Sequence, residues 1–405
     1  MRRRWISAVV AFALALGAPV PSAKAAGGFT DIDNHWARDV ITGAVTAGYV
    51  KGYPDGTFKP DANVTRAEFL AIVTRASKLP AAGVEEPFVD VDARHWAVDA
   101  IGRGIGMGFI SPSAFGSRFE PDKALTRAEM VTWLVNGLVK ADPSFGDALK
   151  DTQNTILPFT EYFPGKFNKP DIPYIAVARG VGLVGGFPDG SFGPDRTTTR
   201  AEVVTLLTRY LAAEGTKAED YKALNEMREV GLYGTNVKTI GNAEWYPGKG
   251  IRRPFYEAFN VELKPDRPIG TIILRKYILV DKELTSVYKD VFLSKEQQEE
   301  LTTESLERFM RFVEVTLMPS KDLDTQSFLY GLPAVAGTTF QVRGELNQPK
   351  KYGFHAMTSD QALTMLKKGQ TSTFWNLYGV MKSGIVVINT QDGKMIRMIV
   401  RGVEN

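Results

Sequence analysis

The sequence predicts a mainly α repeat region of three tandem modules followed by a separate α+β domain. Three observations carry this. The tetrad Thr-Arg-Ala-Glu occurs at 65–68, 126–129 and 199–202. Each copy begins seven residues after a phenylalanine (Phe58, Phe119, Phe192) and opens an apolar run. Beyond residue 214 the tetrad stops, the formal charge from 215 onward is +3, and strand candidates appear. Self-similarity in register with its surroundings is an internal repeat, and repeats fix an architecture before any single residue does.

Residues 1–25 read as a signal peptide: Arg2, Arg3 and Arg4, an apolar stretch from Ile6 to Leu16, and Ala23-Lys24-Ala25 as the cleavage signal. That stretch is shorter than the roughly 20 residues a membrane span needs. The expectation is export and cleavage with no transmembrane anchor. Loss of Arg2, Arg3, Arg4 and Lys24 takes the formal charge from +3 to −1. A near-neutral mature chain argues against nucleic acid as a partner, because phosphate binding needs concentrated cations. With no cysteine, disulfides, a thiol nucleophile and thiolate metal sites are excluded. Hydrophobic residues at 44% and charged residues at 23% indicate a globular chain.

The modules are expected at 26–82, 83–140 and 170–214, with an inserted loop segment at 141–169. Phe29-Thr-Asp-Ile-Asp-Asn-His35-Trp36-Ala aligns with Phe88-Val-Asp-Val-Asp-Ala-Arg-His95-Trp96-Ala, one residue longer. Each is followed by a helical pattern that stops at a glycine, Gly48 or Gly108. Then comes Gly52-Tyr-Pro-Asp55-Gly56-Thr-Phe58, repeated as Gly186-Phe-Pro-Asp189-Gly190-Ser-Phe192. Pro-Asp-Gly makes a turn because Pro pre-sets φ and Gly supplies the positive φ. The second module keeps Phe119 but lacks Asp-Gly.

Each tetrad has the form of a capping box. Thr65, Thr126 and Thr199 stand at the N-cap, while Glu68, Glu129 and Glu202 reach back to the N-cap amide. Capping leaves the arginine unexplained, because a cation at the first helical position opposes the helix dipole. Two readings stay open: Arg66, Arg127 and Arg200 pair with carboxylates of neighbouring modules, or they join the helix N-terminus in binding an anionic ligand.

The order Phe-x-Asp, His-Trp-Ala, helix, Gly-Tyr-Pro-Asp-Gly-Thr-Phe, Thr-Arg-Ala-Glu resembles that of surface-layer homology (SLH) domains, over about 185 residues. The resemblance implies a spindle with a central three-helix bundle, whose grooves bind secondary cell-wall polysaccharide bearing ketal-pyruvate. It implies Arg66, Arg127 and Arg200 as carboxylate clamps and Trp36 and Trp96 as sugar-facing aromatics. It also implies loops shaped by Gly52, Asp55 and Gly56 and by Gly186, Asp189 and Gly190. The alternative for the tryptophans is that they wedge the first helix of each module against the bundle. The third module has no His-Trp, so one or two competent grooves are expected, with Arg66 the preferred clamp. His35 near Asp31 and Asp33 reads as a hydrogen-bonded corner, with Asp or Asn capping the helix, rather than as a metal site.

Residues 218–405 are expected to form an α+β domain. Strands are placed at 271–280, 339–342, 384–389 and 395–401, and helices at 220–230, 294–312 and 359–368. The last two strands read as a hairpin around Asp392-Gly393. No HExxH, GxSxG or P-loop pattern is present, and a triad or metal here would depend on His355 alone. The aromatics Trp245, Tyr246, Phe255, Tyr256 and Phe259, near Arg252 and Arg253, read as core or loop packing. No catalytic residue, metal or cofactor is assigned. The expected function is non-covalent anchoring of an exported protein to the bacterial cell wall. The alternatives are a wall-tethered glycan hydrolase acting through paired carboxylates, or a surface-layer lattice subunit with surface-layer neighbours.

Overall fold

The computed structural model describes residues 28–81, 84, 87–245, 255–303, 309–324, 327–328, 331–332, 347–356, 366–381, 384–393 and 395–401. The expected signal peptide, the strand at 339–342 and most of the helix at 359–368 lie outside them, as do Tyr246, Arg252 and Arg253. The chain forms two compact units, one of residues up to 141 with 195–215, the other of 142–194 with 216 onward. The third module is shared between them.

The helices as far as residue 215 are α1 (Arg38–Thr46), α2 (Arg66–Ala76), α3 (Val98–Gly106), α4 (Arg127–Ala141), α5 (Ser144–Asp151), α6 (Asp171–Val181) and α7 (Arg200–Ala213). The first unit holds α1 to α4 and α7. Its three tetrad helices, α2, α4 and α7, bury most of their circumference. Phe69, Leu70 and Val73 on α2, Trp133, Leu134 and Leu138 on α4, and Val203, Leu207 and Tyr210 on α7 are all core residues.

Their N-termini are tied together by backbone. Val64 N donates to Thr198 O (3.0 Å), Thr198 N to Leu125 O (2.9 Å) and Leu125 N to Val64 O (2.9 Å), a closed three-membered ring. One step on, the first helical amides do the same: Arg66 N to Lys123 O (2.9 Å), Arg127 N to Arg196 O (2.8 Å) and Arg200 N to Ala62 O (2.9 Å). Helix starts leave four amides without intrahelical partners. Here neighbouring modules and the caps take them up.

In the second unit α5, α6 and α8 (Lys222–Tyr233) pack closely. Gly231 is required, since a Cβ there would lie 2.1 Å from Asp151 O. The segment 141–169, expected as a loop, thus contains a helix whose Phe145 and Ala148 are fully buried. The remaining elements are β1 (Glu244–Trp245), β2 (Glu262–Leu263), β3 (Gly270–Asp281), α9 (Lys289–Phe292), α10 (Lys295–Thr303), β4 (Phe309–Pro319), α11 (Asn347–Tyr352), β5 (Ser372–Met381), β6 (Gly384–Asn389) and β7 (Met395–Val400). They form two antiparallel sheets, ordered β2-β3-β4-β5 and β1-β7-β6. The helix expected over 294–312 is a correction. It ends at Thr303, and Phe309 to Phe312 open β4, which pairs on both sides and is buried on both faces. Such a strand shows no alternation to distinguish it from a buried helix. The hairpin at 390–393 is present, with Gly393 N bonded to Thr390 O (3.1 Å) and Gly393 at φ 81°.

One buried carboxylate sets a pH dependence. Glu226 is fully buried and accepts from Ser286 Oγ (2.6 Å), Asn236 Nδ2 (2.7 Å) and Val287 N (2.9 Å). Burial pushes its carboxyl up to about 7, against these three bonds. A carboxyl raised on folding binds its proton more tightly in the folded state, so stability falls as pH rises from about 4.5 to about 7 and then levels off. We expect urea midpoints of the second unit to drop across that window. Glu226→Gln should be less stable overall, because its amide faces the Val287 N–H, and should lose this drop.

Candidate functional site

Each loop is pinned by an acid from the start of its module. Asp31 accepts from Phe58 N (2.8 Å) and Lys59 N (2.7 Å), and Asp90 from Phe119 N and Glu120 N (both 2.8 Å). In the third module Glu161 accepts from Phe192 N (2.9 Å) and Gly193 N (2.8 Å). Phe159-Thr160-Glu161 thus takes the place in the third module that Phe29-Thr30-Asp31 takes in the first. The sequence reading missed it because Glu replaces Asp, although the Phe-x-acid pattern was there to find. Burial pulls the Asp90 carboxyl upward, but the amides of Phe119 and Glu120 outweigh it and hold it below the usual range.

The turns in modules one and three are built alike. Asp55 accepts from Thr57 N (3.0 Å) and Thr57 Oγ1 (2.6 Å), and Asp189 from Ser191 N (2.9 Å) and Ser191 Oγ (2.6 Å). Gly56 and Gly190 carry the positive φ, 81° and 85°. Gly52 and Gly186 make room for the module's leading phenylalanine, since a Cβ would fall 2.0 Å from Phe29 and 2.9 Å from Phe159. These residues shape the loop.

No side chain caps the first helix of modules one and two, whose N-caps are Ala37 and Ala97, so the expected Asp or Asn cap is absent, while each histidine forms the expected hydrogen-bonded corner just ahead of the helix. His35 Nδ1 accepts from Ala37 N (3.1 Å) and His95 Nδ1 from Ala97 N (3.2 Å). Each ring lies beside the following tryptophan, at 5.4 and 5.8 Å between centroids. Trp36 is 66% exposed and Trp96 37%. Trp36 is thus the more open of the two indoles. His35 Nε2 faces Asp61 (3.3 Å).

In each tetrad the threonine hydroxyl accepts from the glutamate amide, and the glutamate side chain accepts from the threonine amide. The arginines differ. Arg66 is buried. Its Nη1 donates to Phe119 O (2.7 Å) and Glu120 Oε2 (3.1 Å), and Nη2 pairs with Glu129 Oε1. Arg127 is also buried, with Glu202 Oε1 3.6 Å from Nη1. Burial draws its guanidinium below the usual range, and Glu202 partly opposes this.

Arg200 is only half-buried and sits on the complete loop of the first module. Nε donates to Phe58 O (2.9 Å) and Nη2 to Lys51 O (3.0 Å), while the guanidinium lies 5.0 Å from the Tyr53 ring centroid and 4.5 Å from that of Phe58. Lys59 Nζ lies 4.2 Å from the same Tyr53 centroid. Among the described residues Arg200 pairs with no carboxylate and Nη1 has no partner. The arginine of one module thus serves the loop of another: Arg66 reaches the second loop, and Arg200 the first. Of the two readings the sequence leaves open for the arginines, pairing with carboxylates of a neighbouring module describes Arg66 and Arg127.

The second unit offers a different feature. Glu257, Glu262 and Asp392 line one open cleft. Phe259 is buried and Phe255 packs on Tyr277 (5.7 Å), whereas Tyr256 is exposed and stacks on Tyr233 (4.8 Å). His355 is exposed, and no group of three metal-ligating side chains occurs among the described residues. No helix among them is long and apolar enough to cross a membrane.

The S-layer homology domain family matches residues 28–70, 87–131 and 169–204, and the chain carries three such domains. The chain is 38% identical over 151 residues to cell surface glycoprotein 1 of Acetivibrio thermocellus, covering 34% of this chain and 6% of that protein. It is 31% identical over 169 residues to the cellulosome-anchoring protein of the same organism, 41% of this chain and 36% of that protein. It is also 31% identical over 215 residues to the surface-layer 125 kDa protein of Lysinibacillus sphaericus, 51% of this chain and 17% of that protein. The matched stretch is thus a minor part of each relative.

Proposed function

We propose that the chain holds an exported protein on the bacterial cell wall by binding pyruvylated secondary cell-wall polysaccharide, non-covalently, through its S-layer homology modules. One observation carries this reading: Arg200, a guanidinium bonded only to neutral carbonyls, beside a complete Pro-Asp-Gly loop. Its charge is uncompensated among the described residues, and Nη1 is open. A carboxylate is the ligand that such an edge takes best, through paired charge-assisted bonds. Lys59 lies on the same Tyr53 ring, 3.6 Å from Asp55 Oδ2, and Trp36 offers an open indole for the apolar face of a sugar. Two relatives, one named for cellulosome anchoring and one for a surface layer, fit the same reading.

The test uses the whole mature chain, because a cut near residue 215 would separate 142–194 from the unit with which they pack. The chain should sediment with purified wall sacculi and stay in solution with sacculi stripped of the pyruvylated polysaccharide. Undiminished sedimentation with stripped walls would refute the mechanism. A wall-tethered glycan hydrolase is the second reading, favoured by the carboxylates of the cleft. It expects release of reducing sugar from wall glycan, abolished in Glu257→Gln or Glu262→Gln.

A further inference from the structure

The loops of modules one and three share a backbone design and differ in what covers them. In module one Gly56 N donates to Tyr53 O (3.1 Å), Tyr53 N to Thr57 O (2.8 Å) and Thr30 N to Gly56 O (3.2 Å). In module three Gly190 N donates to Phe187 O (2.9 Å), Phe187 N to Ser191 O (2.8 Å) and Thr160 N to Gly190 O (3.1 Å). A Cβ built on Gly56 meets nothing within 4 Å. One built on Gly190 meets Tyr352 Oη at 3.2 Å, Thr160 at 3.2 Å and Lys351 Cε at 3.3 Å. Among the described residues nothing meets the tip in module one, whereas α11 covers it in module three.

The cover is anchored. Tyr352 is 2% exposed. Gly353, at φ 74°, lets the chain turn against Pro164, whose Cγ would lie 2.9 Å from an added Cβ. Phe354 packs on Phe163 of module three (4.9 Å) and on Phe292 of α9 (5.6 Å). His355 O accepts from Trp375 N (2.7 Å) on β5, and Gln348 Nε2 donates to Leu293 O (2.8 Å). The covering segment is therefore bound to the module on one side and to the C-terminal sheet on the other.

We propose that α11 is the resident partner of the third loop, and that the C-terminal domain withholds this loop from glycan and leaves the first loop to bind it. The second half of this statement rests on the anchoring reading above; the cover itself does not. Hydrogen exchange on the intact chain tests both. Because the two loops carry the same hydrogen bonds, amides at 187–191 should exchange about tenfold or more slowly than those at 53–57. Tyr352→Ala should speed exchange at 187–191 and leave 53–57 alone. Should that variant unfold the second unit, Lys351→Ala, at an exposed side chain, should speed exchange at Gly190 in the same direction. Pyruvylated polysaccharide released from the wall should protect 53–57 in every protein, and 187–191 only in the variants. Equal exchange of the two loops in the native chain, or glycan protection of 187–191 in it, would overturn the proposal. Glycan that protects neither loop would end the anchoring reading, and the exchange comparison would still decide the cover.

Discussion

Arg66→Ala destabilises the first unit by about 3–5 kcal/mol, the scale of breaking a buried ion pair from one side. The side chain is 6% exposed, and its partners belong to another module: Phe119 O, Glu120 and Glu129. Glu129 is itself half of a capping box, taking the Thr126 amide on its other oxygen (3.0 Å). Truncation strips this shielded carboxylate of its counter-charge and leaves Phe119 O without a donor. Glu120 is about half exposed and contributes little to the loss. For a unit of this size each kcal/mol corresponds to roughly 2–4 °C in melting temperature, so calorimetry should show a drop of about 10 °C. A melting temperature within a degree or two of the native protein, together with lost wall binding, would return Arg66 to the role of ligand clamp.

What could be read from the sequence was local. A Thr at the cap and a Glu three residues on meet within one turn, so the tetrad announces its own geometry. The Pro-Asp-Gly turns and the Asp392-Gly393 hairpin are local in the same way. What could not be read was which module each arginine would face. Sequence places Arg66 beside its own loop, whereas the ring of bonds through Val64, Leu125 and Thr198 rotates each tetrad onto a neighbour. Glu161 escaped because one added methylene hides an acid that does the work of Asp31 and Asp90. The start of β4 escaped because a strand buried on both faces has the composition of a buried helix. The uncapped starts of α1 and α3 were unreadable for another reason: the capping preference of Asp and Asn pointed to a side-chain cap where the chain has Ala37 and Ala97.

On the anchoring proposal, Arg200→Ala should lower affinity for pyruvylated polysaccharide by about 10- to 100-fold and leave the melting temperature nearly unchanged. A hydrogen bond to a charged group is worth roughly 1.5–3 kcal/mol, and about 1.4 kcal/mol is a factor of ten in affinity. The stability effect is small because Arg200 has no buried counter-ion to strand among the described residues. Its two intramolecular acceptors, Phe58 O and Lys51 O, lie at a half-open site. Arg200→Lys should fall between the two, since it keeps the charge and loses the planar fork. Raised salt should weaken native binding more than Arg200→Ala binding, because the variant has already lost part of the attraction that salt screens. Calorimetric titration of the intact chain with released wall polysaccharide reads all three. Unchanged affinity in Arg200→Ala would remove the first loop as the carboxylate site. The two variants would thus separate roles that the tetrad alone does not: Arg66 pairs with carboxylates of another module, whereas Arg200, with the same local sequence, meets only carbonyls among the described residues and, on the anchoring proposal, a ligand carboxylate.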